Sequence, residues 1–234
     1  MNRLQIKLRS AARKAGLHHW LWKFRDRLRL HQDYEQRCHR ALERAVRSGD
    51  VVWDIGANEG FYTELFCRWV GPQGRVVAIE PNPQAIAITR NRLERYPQAS
   101  FENLALGSCE ETAVLAVQTG STVGFLHYDP NVHRPELKEI PVKVTTGDKL
   151  SERLQTAPNV LKIDVEGFEE DVLSGLEKTL SSPSARVILI EVHFQLLESR
   201  GQAIAPVRME KSLEKKGYRV KWVDRNHLLA QRPD

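Results

Sequence analysis

Val51-Val52-Trp53-Asp54-Ile55-Gly56-Ala57-Asn58-Glu59-Gly60 is the stretch that decides how this chain folds. A short apolar run ends in an acid, a glycine turn follows, and Tyr62 to Val70 continues with helical character. A second apolar run, Arg75 to Ile79, ends in Glu80, 24 residues after Gly56. This is the layout of a nucleotide-binding βαβ unit, in which the second acid grips ribose hydroxyls. The glycines depart from the dinucleotide pattern. A pyrophosphate needs G-x-G-x-x-G so that backbone at a helix N-terminus can approach the phosphates. Here Asn58 takes the middle glycine's place, and Asp54 stands two residues before the first. An anion there repels a pyrophosphate but pairs with a cationic amino group. S-adenosylmethionine has such a group and a ribose, and no phosphate. The residues therefore point to a methyl donor as cofactor.

A chain of 234 residues holds one α/β domain of ordinary size with an appendage. Its apolar content of 41% suits a globular protein, and no segment has the roughly 18 uninterrupted apolar residues of a membrane span. The first apolar clusters are broken by Arg and Lys, unlike a secretory signal. Cys38, Cys67 and Cys109 are odd in number and lack CxxC spacing, which fits reduced thiols in a cytoplasmic protein. Charge is uneven. Residues 1–47 carry 13 Lys/Arg against 4 Asp/Glu, whereas the whole chain is only +5, so the remainder is net acidic. The basic character belongs to the N-terminal segment, which weakens any reading of the domain itself as a nucleic-acid binder.

Two parts follow from this: a basic helical extension over 1–48 and a cofactor-binding domain over 49–234. Within the first, Leu4, Leu8, Ala11, Ala12 and Ala15 have helical spacing, and Trp20, Trp22 and Phe24 alternate with cations. Three roles compete for it. It packs its aromatics on the domain, or makes a peripheral membrane contact through residues 1–30, or serves as an RNA-binding arm, in falling order of preference. From Asp50 the rhythm is α/β, with strand candidates at 51–54, 75–79, 99–104, 160–163 and 186–192. Their nearly continuous apolar runs suit parallel strands buried on both faces. Residues 112–145 interrupt this rhythm and read as a hairpin-like insert around a Gly/Pro/His-rich loop. A helix at about 205–216, a stop at Gly217, and two strands turning at Asp224-Arg225-Asn226 close the chain.

A third motif is Val160-Leu161-Lys162-Ile163-Asp164-Val165-Glu166-Gly167-Phe168-Glu169. Strand alternation puts Lys162 and Asp164 on one face. A lysine in a central strand is costly unless paired, so a contact with a carboxylate is expected. Together, DIGANEG, the IEPNP segment 79–83, the NLALG segment 103–107 and LKIDVEGFE resemble the FkbM family of class I S-adenosylmethionine-dependent methyltransferases, over about residues 50–195. The resemblance implies a Rossmann-like α/β fold, with a seven-stranded mostly parallel sheet, its last strand antiparallel, and helices on both faces. It also implies O-methylation of small molecules, often sugars or polyketide-type products. Phe168 departs from the small residue more common in the family after the last glycine, a change expected to reshape the acceptor pocket.

Asp54, Gly56 and Gly60 are expected to hold the methionine end of the cofactor, directly or through water. Asn58 has two readings: it offers its amide to the ligand from an unusual backbone angle, or it caps the following helix. Glu80 is the ribose clamp, and Asn103, Ala105 and Leu106 line the adenine. Methyl transfer is an in-line displacement, so the enzyme must hold the acceptor oxygen at near-contact distance in a dry site. A sugar hydroxyl is a poor nucleophile and needs a proton acceptor. Asp164 at a strand end is the first candidate and His193 the second; Glu166 orients the acceptor or caps a helix. Asp164 with Glu191 is the weak alternative for a divalent cation, and no metal site is expected.

The leading function is thus O-methylation of a small-molecule hydroxyl on a sugar, glycan or glycosylated metabolite. A nucleic-acid methyltransferase using the basic arm is one rival. Base-amine methylation, however, calls for a polar-Pro-Pro-aromatic segment where Asp164-Val165-Glu166-Gly167 stands. A non-catalytic cofactor-binding scaffold is the other rival, and the acids at 54, 80 and 164 count against it. The sequence leaves the oligomeric state open.

Overall fold

The computed structural model describes residues 30–118, 124–126 and 137–233. The expectations for residues 1–29, including the membrane and RNA roles, lie outside the described residues, as does most of the insert's loop. In chain order the elements are α1 (Leu30–Ala45), β1 (Val51–Ile55), α2 (Phe61–Val70), β2 (Arg75–Ile79), α3 (Pro83–Arg92), β3 (Ala99–Glu102), β4 (Ala105–Leu106), β5 (Glu111–Gln118), β6 (Gly124–Leu126) and β7 (Leu137–Thr145). Then follow α4 (Gly147–Leu154), β8 (Val160–Ile163), α5 (Glu169–Ser174), α6 (Glu177–Ser181), β9 (Val187–Glu191), α7 (Phe194–Ser199), α8 (Ala205–Lys215), β10 (Arg219–Trp222) and β11 (His227–Gln231).

Seven strands form one sheet in the order β10-β11-β9-β8-β1-β2-β3. The pairs from β9 through β8, β1 and β2 to β3 are parallel, and β11 runs antiparallel to both its neighbours. Alternation along the strands builds two layers of core. Trp53, Ile55, Val77 and Ile79 pack with Leu150, Val172, Leu176, Leu197 and Met209 of helices α4 to α8 and their connections. Val52, Val76, Val160 and Leu189 face the other way, onto Phe66, Cys67 and Val70 of α2. Helices therefore cover both faces, which is why these strands read as unbroken apolar runs. Helix α1 joins the second layer: Cys38, Leu42 and Ala45 are buried there, on the N-terminal side of the division drawn at residue 48.

The third strand stops at Glu102, short of the expected 104. Ala105 and Leu106 leave the main sheet to pair with β7 in a second sheet of order β4-β7-β5-β6. The insert is hairpin-like as expected, with β5 and β7 antiparallel from Glu111–Val144 to Gln118–Leu137, and β6 adds a third antiparallel strand. At the amino ends of the main strands, Asp50 accepts hydrogen bonds from the Arg186 guanidinium at 2.6 and 2.7 Å and from the Arg47 amide. Asn159 accepts from Val51 N and donates to Ser184 O, fastening the same end. No helix among the described residues is long and apolar enough to cross a membrane.

Candidate functional site

From β1 the chain runs outward through β2 to β3 on one side and returns later to β8 and β9 on the other, so a crevice opens at the carboxyl ends. Gly56 follows β1 with φ +79, and a Cβ there would lie 1.8 Å from the Asp164 carbonyl oxygen. Only glycine lets β1 and β8 finish this close together. The crevice is a cleft of about 670 Å³, counting the solvent-open mouth, within the size range of small-molecule sites.

One half of the cleft is built on Gly56, Asn58 and Glu80. Glu80 is buried, and its two oxygens accept from Asn58 N at 2.9 Å and Asn82 N at 2.8 Å. Burial pushes its carboxyl up to about 7 even though both amide bonds favour the carboxylate. Asn58 has φ +46, and its carbonyl accepts from Thr89 Oγ1. The residue before helix α2 is Gly60, with no side-chain cap, so Asn58 is not capping. Its Oδ1 is buried without a hydrogen-bond partner at the cleft wall. An orphaned acceptor there is free to meet a hydrogen-bond donor of a ligand.

Asp54 does not line the cleft. It is fully buried beneath it, accepting from Thr63 Oγ1 at 2.6 Å and lying 3.6 Å from Lys162 Nζ. Burial raises its pKa, opposed by Lys162 and Thr63. Lys162 sits between Asp54 and Asp164, 3.1 Å from the latter and 5.1 Å from the Tyr62 ring centre, so the expected lysine–carboxylate contact is present. Gly60 packs against Thr89 rather than the cleft. Ala105 and Leu106 line the wall, whereas Asn103 is exposed and donates to the carbonyls of Glu80 and Pro81, holding the loop that carries the clamp.

At the other half of the rim, Asp164, Glu166 and His193 converge. His193 Nε2 is 3.7 Å from Asp164 Oδ1 and 3.3 Å from Glu166 Oε2. Its Nδ1 lies 2.7 Å from Oε1 of the fully buried Glu169. Burial alone would pull the imidazole down, but the Glu169 bond and the charges of Glu166, Glu169 and Asp164 outweigh it and push His193 up to about 9. Glu166 is itself raised, chiefly by burial. These three residues each offer a ligand atom within 4.8 Å of the others, a spacing a cation could use. Glu191, the earlier partner proposed for Asp164 in such a role, is instead 3.4 Å from His227.

Sequence reasoning missed Leu104 in the loop before β4, and Leu115, Gly124 and Leu126, which close the cleft from the second sheet, and it missed Glu169. Alternation within β5 marks Leu115 as inward, but not that its far end reaches the cofactor cleft. Phe168, expected to reshape the acceptor pocket, lies buried under the Arg200 guanidinium at 3.5 Å and is not part of the cleft wall.

The sequence profile of the methyltransferase FkbM domain matches residues 54–220, the span that carries the cleft and its rim. The chain belongs to the FkbM methyltransferase family. Two curated relatives are 28% identical: the hexuronic acid methyltransferase AglP of Haloferax volcanii and the 31-O-demethyl-FK506 methyltransferase FkbM of Streptomyces tacrolimicus. The match to AglP covers 74% of this chain and 66% of the relative; that to FkbM covers 68% and 72%. Among solved structures, one described as an rRNA methylase from Clostridium thermocellum aligns with TM-score 0.54 at 13% identity, over 84% of this chain and 94% of that one. A Streptococcus mutans methyltransferase in complex with S-adenosylhomocysteine aligns with TM-score 0.50 at 12% identity, over 84% and 96%. These two speak for the class I fold. This FkbM-family chain is an S-adenosylmethionine-dependent methyltransferase, and its cleft fits that cofactor: a buried carboxylate for hydroxyl donors, an orphaned amide oxygen, and an apolar wall.

Proposed function

We propose that this methyltransferase alkylates a hydroxyl oxygen of a small molecule, a sugar, glycan or glycosylated metabolite. The observation that carries the reading is the convergence of Asp164, Glu166 and His193 Nε2 on one rim, beside the Glu80 and Asn58 half of the cleft. The two carboxylates are acceptors for the O–H groups of a polyol and for the proton of the one that reacts, and the imidazole joins them where pH rises far enough to neutralise it. AglP, a methyltransferase of a hexuronic acid, and FkbM, a methyltransferase of 31-O-demethyl-FK506, support the small-molecule class.

S-adenosylmethionine supplies a methyl group already activated on a sulfonium sulfur. Glu80 grips the ribose hydroxyls, and the Asn58 amide oxygen takes a donor from the ligand. Gly56 and Gly60 keep the turn tight enough for backbone to approach the methionine end. Asp54 acts from below, through Lys162 or a water. Ala105 and Leu106, with Leu104, face the adenine, and Asn103 holds the clamp loop in register. On the acceptor side Asp164 receives the reacting hydroxyl, Glu166 orients its neighbour, and His193 is the second proton acceptor.

The test is conversion of S-adenosylmethionine to S-adenosylhomocysteine with a panel of neutral sugars, uronic acids and glycosylated metabolites, with RNA as a control. Turnover with a hydroxylated small molecule, lost in Asp164→Asn, is the expected result. Turnover with RNA alone would overturn the reading.

A further inference from the structure

We propose that Glu169 is a positioning residue of this site: it holds Nδ1 of His193 from within helix α5, so that Nε2 is the ring nitrogen presented to the acceptor. The inference rests on the methyltransferase reading of the rim.

Glu169 opens α5, two residues after Gly167, and is wholly buried. Its Oε1 receives both His193 Nδ1 at 2.7 Å and Gly167 N at 2.9 Å, while Oε2 is buried with no hydrogen-bond partner. A carboxylate only accepts, so Nδ1 must carry a proton in that contact. The neutral ring then has its lone pair on Nε2, which faces Asp164 and Glu166 across the rim. A carboxylate fixing the far nitrogen of a catalytic histidine sets both its tautomer and its orientation. One amide bond would suffice for a helix-start acid. Spending the same oxygen on the imidazole, with the other left bare, ties the buried charge to His193.

Every element around the ring contributes charge. Asp164 and Glu166 come from the β8–α5 loop, Glu169 from α5 and Glu191 from the end of β9. The Glu169 bond and the neighbouring acids outweigh burial, so the imidazolium is favoured and titrates at about 9. Once the ring is neutral, above about pH 9, Nε2 serves beside Asp164 as the second proton acceptor, taking the acceptor's O–H proton as that oxygen gains the methyl group.

The ring nitrogens of the full chain can be followed by long-range proton–nitrogen NMR, with His193→Gln assigning the signal. The expected result is a midpoint near 9 and a neutral form protonated at Nδ1. Glu169→Gln should lower the midpoint by more than about one unit and mix the tautomers, with Glu169→Asp intermediate, while S-adenosylmethionine affinity by calorimetry stays within about threefold. With an acceptor in hand, the rising limb of kcat against pH should move down in Glu169→Gln and leave KM for the cofactor in place. A wild-type midpoint near 6.5, a neutral ring protonated at Nε2, or an unmoved midpoint in Glu169→Gln overturns the proposal. If Glu169→Gln does not fold, the wild-type tautomer decides alone. Absence of cofactor binding by the wild type would instead sink the methyltransferase reading, whatever the ring titration shows.

Discussion

Lys162 and Glu80 are the two side chains whose surroundings fix what the site can do. Lys162 is buried in a central strand, and it is held charged because Asp164 and Asp54 outweigh the cost of its burial. Lys162→Met would leave Asp54 as a buried acid with only Thr63 as a partner. Urea denaturation should show a loss of about 3–5 kcal/mol, and Asp54→Asn in the same chain should recover part of it. Glu80 gives a pH prediction. Its carboxyl is raised from 4.5 to about 7, so the proton returns as pH falls through 7. Hydroxyl donors need the carboxylate. Cofactor affinity by calorimetry should therefore fall between pH 8 and pH 6, by up to about tenfold per unit below 7, and Glu80→Gln should be weak and nearly flat over that range.

The elements were legible to the extent that their reasons are local. Strands β1, β2, β8 and β9 are apolar throughout because both their faces are covered, and that pattern is visible without any partner. Asp54 and Glu80 were found as the acids that end β1 and follow β2, and Lys162 could be paired with Asp164 by alternation alone. Several features were hidden because they depend on distant segments meeting. Ala105 and Leu106 leave the main sheet only because β7, some 40 residues on, offers them an edge. Leu115 closes a cleft whose floor comes from residue 56, and Glu169 finds His193 across 24 residues. Asp54 looked like a ligand contact because it sits at the right place in the motif. Burial by Thr63 and Lys162 moves it one layer down. The β1–β8 junction gives the prediction at this scale. Gly56→Ala adds a left-handed conformation worth about 1–2 kcal/mol to a clash with the Asp164 carbonyl. Thermal unfolding should drop, and cofactor affinity should fall at least about tenfold, since both halves of the cleft are anchored there.

Across the whole molecule, charge is sorted: a cation-rich N-terminal segment, and an acidic cleft whose cations are already engaged. Asp164, Glu166 and His193 have the spacing of a cation site, yet an imidazolium held by Glu169 already supplies positive charge among the acids. Methyl transfer is therefore expected to persist in excess EDTA and to gain nothing from added magnesium; loss of activity on chelation would assign the trio to a metal. The Asp50–Arg186 latch and the Asn159 bridge lie at the end of the sheet remote from this cleft. At the cleft end stand Asn58, Glu166 and Gly167, all in the left-handed region. A book clasped along its spine opens only at the fore-edge. Admission of an acceptor and departure of the products then fall to the loops after β1 and β8, with the strands themselves unmoved. Amide exchange should be slowest in Val52, Trp53 and Leu161 and fastest around Val165 and Glu166, with ligand slowing only the second group.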